Sequence, residues 1–202
     1  MLEDAIDHLL KSPSTSTRRL VHLADYVKWL LERSGLPGAQ GGSSAELSVP
    51  GLSRRKDWDV AFEHAGKFRL LVSLKSMLKN ISGSVPNRLD DLQGEAANVQ
   101  LLWPEMIIGY VILVDVAQDR RRKDGQLWLD VFEASLRRIA IRKAPLWGQG
   151  LLESLWFIRF DSRQPKGRRI VEPRKVVLDR KTFVEAMLSE LEIREPAVRL
   201  QK

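Results

Sequence analysis

Asp59 and Lys75 are the residues whose types and spacing most readily do chemistry together. Each belongs to a short run of alternating apolar and polar residues, and Ala65-Gly66 between the runs can reverse the chain. Pairing the two runs as strands would set a carboxylate and an ammonium side by side on one sheet face. A carboxylate is a hard oxygen ligand suited to Mg²⁺, which takes few protein ligands and keeps several waters. A lysine beside such an ion can orient or deprotonate an attacking water and offset charge developing on a phosphate. The same pair also reads as an ordinary surface ion pair across a hairpin, because charged residues commonly line exposed strand faces.

The elements that must position these side chains follow from periodicity. Alternation predicts strands over 58–64 and 67–75. In the first, Trp58, Val60 and Phe62 are expected on the core face, with Asp57, Asp59 and Glu63 opposite. In the second, Phe68, Leu70, Val72 and Leu74 are expected to face the core, with Lys67, Arg69, Ser73 and Lys75 opposite. Residues 81–87 read as a loop, and 88–101 as a helix packed through Leu89, Leu92, Ala96 and Val99. The run 106–115 is apolar almost throughout, the pattern of a central strand covered on both faces.

Upstream, helices are predicted over 2–11 and, capped by Ser16 or Thr17, onward to Arg33, with a glycine-rich loop up to Glu46. Downstream, a charged loop at 119–125 leads into a helix over 127–142. Residues 151–160 fit either strand or helix, a strand is expected around 175–178, and a last helix over 180–193. This order predicts an α/β fold with one mixed central sheet flanked by helices. The expected organisation is one domain over 1–202, with N-terminal helices to about residue 34 and a helical and strand extension from about residue 127.

Composition narrows the function classes. The 33 Lys and Arg against 26 Asp and Glu leave a formal charge of +7, which favours a polyanionic partner. The absence of cysteine excludes disulfides, thiolate metal sites and cysteine nucleophiles. His8, His22 and His64 lack metal-ligand spacing, and no glycine-rich phosphate loop is present. Trp103, Trp128, Trp147 and Trp156 read as core or interface anchors. The run 106–114 is too short to span a bilayer, and the acidic N-terminus is unlike a secretory signal. A cytoplasmic protein with no membrane partner is expected.

Four segments resemble the XhoI-type restriction endonucleases of the PD-(D/E)xK nuclease superfamily. They are Val49-Pro50-Gly51 with Arg54-Arg55-Lys56-Asp57-Trp58-Asp59; the strand from Leu71 to Ser76; Asn87-Arg88-Leu89-Asp90-Asp91 with Gly94; and Gly109-Tyr110. The resemblance runs over about residues 17–160 and is specific in the first three segments. It implies a restriction-endonuclease-like fold and cleavage of double-stranded DNA with Mg²⁺, or Mn²⁺ in its place. It casts Asp59 as a metal ligand and Lys75 as the residue that assists the water.

Ser73 departs from the pattern, standing where the family has the acid of acid-x-lysine. A hydroxyl contributes no negative charge to a divalent cation, so either the site is inactive or a carboxylate reaches in from elsewhere. The NgoMIV group of restriction endonucleases also has serine-x-lysine and supplies the acid from the following helix. By that likeness Asp91 is the first choice here, with Glu95, four residues on, second. Glu46 is a further contender, because many members carry an upstream glutamate near the metal. Both helix acids also read as ordinary solvated residues.

For DNA contact the resemblance and the charge point to Arg54, Arg55, Lys56, Asn87 and Arg88, with the run Arg120-Arg121-Arg122-Lys123 and the loop 163–169 as further cations. A homodimer is expected, since two-fold symmetry matches a palindromic target, together with a cognate methyltransferase. Two rivals stay open: a catalytically inactive DNA-binding relative of the same fold, and a protein-interaction domain whose charge serves solubility.

Overall fold

The computed structural model describes residues 1–44, 47–144 and 150–201. Glu46 and Trp147 lie outside the described residues. In chain order the first elements are α1 (Leu2–Lys11), α2 (Val21–Arg33), β1 (Gln40–Gly41), β2 (Leu47–Val49), β3 (Lys56–Trp58), β4 (Val60–His64) and β5 (Lys67–Met77). Then come α3 (Ile81–Gln100), β6 (Ile107–Asp115), α4 (Trp128–Ile139), β7 (Ser154–Phe160) and α5 (Pro173–Arg194).

Five strands form one mixed sheet in the order β1-β4-β5-β6-β7, and β2 pairs with β3 separately. The β1–β4 and β4–β5 pairs are antiparallel, whereas β5–β6 and β6–β7 are parallel, with α3 and α4 as the crossovers. β6 is buried along its whole length, as its apolar run predicts for a strand covered on both faces. Leu70, Val72, Leu74, Val111 and Trp156 meet α1, α2 and α5 on one face. Leu71, Ile108, Tyr110, Ile112 and Phe157 meet α3 and α4 on the other. The result is an α/β sandwich with a central mixed sheet between two helical layers. No helix among the described residues is long and apolar enough to cross a membrane.

At the far end of the sheet a buried ion network ties β6, β7 and α5 together. Glu153 accepts the Ile108 N–H at 2.6 Å and also meets Arg142 at 2.6 Å and Arg194 at 2.9 Å.

Several local expectations are corrected. Residues 81–87 are the first turns of α3 rather than a loop: Ile81 and Val85 extend the stripe of Leu92, Ala96 and Val99, and its burial outweighs Gly83 and Pro86. Residues 175–178 belong to α5, because Val176 packs on the face that carries Phe183, Val184 and Met187. Within 151–160, which fitted strand or helix, Ser154–Phe160 form strand β7 in parallel register with β6. Ser16 and Thr17 do not cap α2, which begins at Val21 with no side-chain cap. Trp58 does not share a face with Val60: it packs beneath α3 and α4 while Val60 and Phe62 pack on the opposite side. A register shift at Phe62/Glu63 likewise turns Phe68 away from the face of Leu70.

Candidate functional site

β5 outlasts its neighbour, and the candidate site lies where it does. The β4–β5 ladder ends at Val60 opposite Val72, whereas β5 stays paired with β6 as far as Met77. Beyond Val72 the β4-side edge of β5 therefore lacks a strand partner among the described residues. Asp59, in the bend between β3 and β4, fills part of this gap: its Oδ2 accepts the Leu74 N–H at 2.7 Å. Its carbonyl accepts the Gly42 N–H at 3.1 Å, which fixes the backbone at the same residue. A Cβ at Gly41 would lie 2.1 Å from that carbonyl oxygen, and φ there is +117°, so glycine permits the close approach of β1.

Ser73 and Lys75 alternate with Leu71 on the α3 side of β5, and Glu95 of α3 sits over them. Its Oε1 lies 3.3 Å from Lys75 Nζ and 3.0 Å from Lys56 Nζ. Its Oε2 accepts from Ser73 Oγ at 3.4 Å. Glu95 is 9% exposed. Burial alone would push its carboxyl pKa up, but the Lys75 and Lys56 ammoniums outweigh that and hold it below the usual value. The buried acid is thus kept as a carboxylate.

The cationic segment before β3 hangs on the same helix. Asn98, less than one turn beyond Glu95, accepts the Ser53 N–H at 2.9 Å, donates to the Arg54 carbonyl at 2.9 Å, and its own carbonyl accepts the Leu52 N–H at 2.7 Å. α3 therefore positions both Glu95 and the segment that delivers Lys56. Lys56, expected among the DNA contacts, lines the cleft described below and also has its ammonium on Glu95.

Of the helix acids, the one brought to Ser73 and Lys75 is the second choice. Asp91 has a side chain 54% exposed and pairs with Arg88 at 3.3 Å. At about 100° per residue, Glu95 lies roughly 40° nearer than Asp91 to the stripe of Leu92, Ala96 and Val99 that faces the sheet. That offset separates a buried carboxylate from a solvated one. Asn87 is exposed on α3, and Asp57 is exposed on β3.

Tyr110 stands opposite Ser73 in the β5–β6 register and on the same face. Its hydroxyl is buried with no hydrogen-bond partner among the described residues, and burial pushes its pKa well above the ordinary phenol value. Arg88, Glu95, Asp91 and Asp59 are the charges that act on it.

The open edge of β5 forms the floor of a cleft of about 520 Å³. Arg54, Arg55, Lys56, Lys75 and Arg88 line it, and so does Arg19, which sequence reasoning missed; Asp57 and Asp59 are its acidic residues. The other cations singled out in the sequence do not line it. Arg121 and Leu127 bridge to close the charged loop at 119–125 into a hairpin, and Arg122 stacks 4.8 Å over Trp128. In the 163–169 loop, Lys166 pairs with Asp4 at 2.6 Å and Arg169 with Asp7 at 3.0 Å, docking the loop on α1. A larger groove of about 750 Å³ between α2 and α5, lined by Trp29, Leu178 and Val184, holds none of the predicted site residues.

Among the described residues, no group of three or more His, Asp or Glu is arranged to hold a metal ion. Comparison with family models, curated proteins and solved structures gives no match.

Proposed function

We propose that the chain is a metal-dependent endodeoxyribonuclease of restriction-endonuclease-like fold that cleaves phosphodiester bonds of double-stranded DNA. The observation that carries this reading is that Asp59 and Lys75 line one cation-rich cleft at the end of β5, with the buried Glu95 carboxylate on the Lys75 ammonium. The donors present suit Mg²⁺ in kind: they are carboxylate oxygens without thiolate or imidazole, and Mg²⁺ asks for only one or two carboxylates. Asp59 and Glu95 would hold the ion, with Mn²⁺ as an alternative. When bound, the ion supplies Lewis-acid polarisation of the phosphate and a water of lowered pKa.

The chain's own residues supply the rest. Lys75 would place its ammonium by the scissile phosphate, orienting the water and offsetting developing charge. Ser73 holds the Glu95 carboxylate through its hydroxyl and so serves the acid that it does not itself provide. Arg54, Arg55 and Arg88 would contact backbone phosphates, which gives affinity rather than sequence choice. Cleavage of both strands implies a homodimer, and restriction activity implies a cognate methyltransferase.

One observation favours a second reading, a DNA-binding relative that does not cleave. Both oxygens of Glu95 are engaged, by two ammoniums and a hydroxyl, which neutralises the acid that the metal needs. Incubating supercoiled plasmid with the protein and Mg²⁺ or Mn²⁺ separates the two. The nuclease reading expects nicked and linear products, with Asp59→Ala and Lys75→Ala each slowing cleavage by roughly 100-fold or more. Salt-sensitive binding with no cleavage in either metal would leave the second reading. Cleavage that survives both substitutions would remove this cluster from the chemistry.

A further inference from the structure

We propose that Arg19, together with Arg88 across the cleft, forms a binding site for a backbone phosphate of nucleic acid in the cleft that Asp59 and Lys75 also line. The identity of the ligand rests on the nuclease reading, whereas the anion site rests on the placement of Arg19 and Arg88 in the cleft. Arg19 lies in the turn before α2, on the layer opposite α3, whereas Arg88 belongs to α3. Ordinarily the sheet would keep these two layers apart. They reach one cleft because the β4–β5 ladder extends no further along β5 than the Val60–Val72 pair and leaves the end of β5 uncovered at its edge.

The guanidinium of Arg19 is held but not neutralised. One terminal nitrogen donates to Ser76 Oγ at 3.0 Å and the other to the Ser14 carbonyl at 3.2 Å. Its Nε is buried with no partner, and among the described residues no carboxylate lies within ion-pair distance. Burial first, and the positive charge of Arg88 second, push its pKa below the usual guanidinium value. A partly buried guanidinium with no carboxylate in ion-pair reach is stabilised by an anion entering the cleft, although Asp57 and Asp59 also line it and Arg88 is paired with Asp91. Ser16 and Thr17 add hydroxyl donors on the same wall. Guanidinium forks and hydroxyls converging on a polar cleft suit a tetrahedral phosphate oxygen set, which arginine can bind through paired hydrogen bonds. Placed next to Lys75, the pocket would take a phosphate of the strand being cut and fix its register over Asp59.

The experiment uses the full chain in EDTA, so that cleavage plays no part, and measures affinity for a short labelled duplex across a salt series. Arg19→Gln is compared with wild type and with Arg138→Gln, a charge change on an exposed position of α4. The expected result is roughly tenfold weaker binding for Arg19→Gln. The slope of log affinity against log salt should also fall by about 0.9, the loss of one phosphate contact. Arg138→Gln should leave both unchanged, and a thermal melt verifies that each variant folds. An unchanged slope for a folded Arg19→Gln protein overturns the proposal and leaves Arg19 as a structural link to Ser76. If wild type binds no duplex, thermal shift with inorganic pyrophosphate decides: stabilisation of wild type but not of Arg19→Gln keeps the anion site and removes nucleic acid as its ligand. No response of wild type to either probe overturns the anion site too.

Discussion

Replacing Glu95 with Gln removes one charge at nearly constant size, keeping one oxygen for the two ammoniums and turning the other position into an NH2 that can donate to Ser73 Oγ, so it tests whether the cluster is held electrostatically. In the wild type, one buried carboxylate faces two ammoniums at 3.0 and 3.3 Å. A hydrogen bond to a charged group contributes about 1.5–3 kcal/mol. The side chains of Lys56 and Lys75 are 32% and 21% exposed, so each ammonium recovers some hydration when its partner is lost. The net loss at neutral pH should therefore be about 2 kcal/mol, near the value of one such bond rather than two. For urea unfolding this lowers the midpoint by roughly 0.5–1 M. The pH dependence carries a second signature. The folded carboxyl titrates below the ordinary value of 4.5, so its stabilisation is fully present above that value. It is lost as pH falls through the lower, folded value. Wild type and Glu95→Gln should thus differ by a constant amount above about pH 5 and converge in acid. Equal midpoints at neutral pH, or a gap that persists after the carboxyl is protonated, would refute an electrostatic clamp.

Two further substitutions probe how the site is framed. Gly41→Ala should destabilise the protein by roughly 2–3 kcal/mol and displace Asp59, because its Cβ meets the Asp59 carbonyl at 2.1 Å. Gly38→Ala, with φ of +86° but nothing within 4 Å, should cost only about 1 kcal/mol; equal melting temperatures for the two would show that the Asp59 contact does not matter. Tyr110→Phe removes a buried hydroxyl with no partner among the described residues, so stability should be unchanged or rise by up to about 1 kcal/mol. A drop of that size in a thermal melt would mean that the hydroxyl is bonded in solution.

Strands β4, β5 and β6 were legible because their signals are local, whereas the short β1 and β2 carry too few residues for a pattern and β7 read equally as helix. Alternation over 67–75 places Ser73 and Lys75 on one face, and the apolar run of β6 announces a strand covered on both sides. The corrections fall where a tertiary contact outweighs a local signal. Gly83 and Pro86 punctuate the sequence, yet Ile81 and Val85 bury against the sheet and carry α3 through them. Pro173, at the first helical position of α5, was an available start signal that the valines after it obscured. The choice of Glu95 over Asp91 was also within reach, from the wheel positions of Leu92, Ala96 and Val99. Arg19 was not: its bond to Ser76 joins residues 57 apart in sequence, and no local pattern encodes where the β4–β5 ladder will end.

Carrying the acid on α3 rather than on β5 changes what holds the site together. An acid at position 73 would sit two residues from Lys75 on one strand, and the pair would survive wherever that strand forms. Glu95 instead joins β3 through Lys56, β5 through Ser73 and Lys75, and α3 through its own backbone. Its position is set by burial of the α3 stripe against the sheet, and the same helix fixes the 52–54 segment through Asn98. The carboxylate and the cations around it therefore assemble only when the α3 layer packs. Any loosening of Leu92, Ala96 or Val99 should disperse the charge cluster together with the core, because one helix orders both.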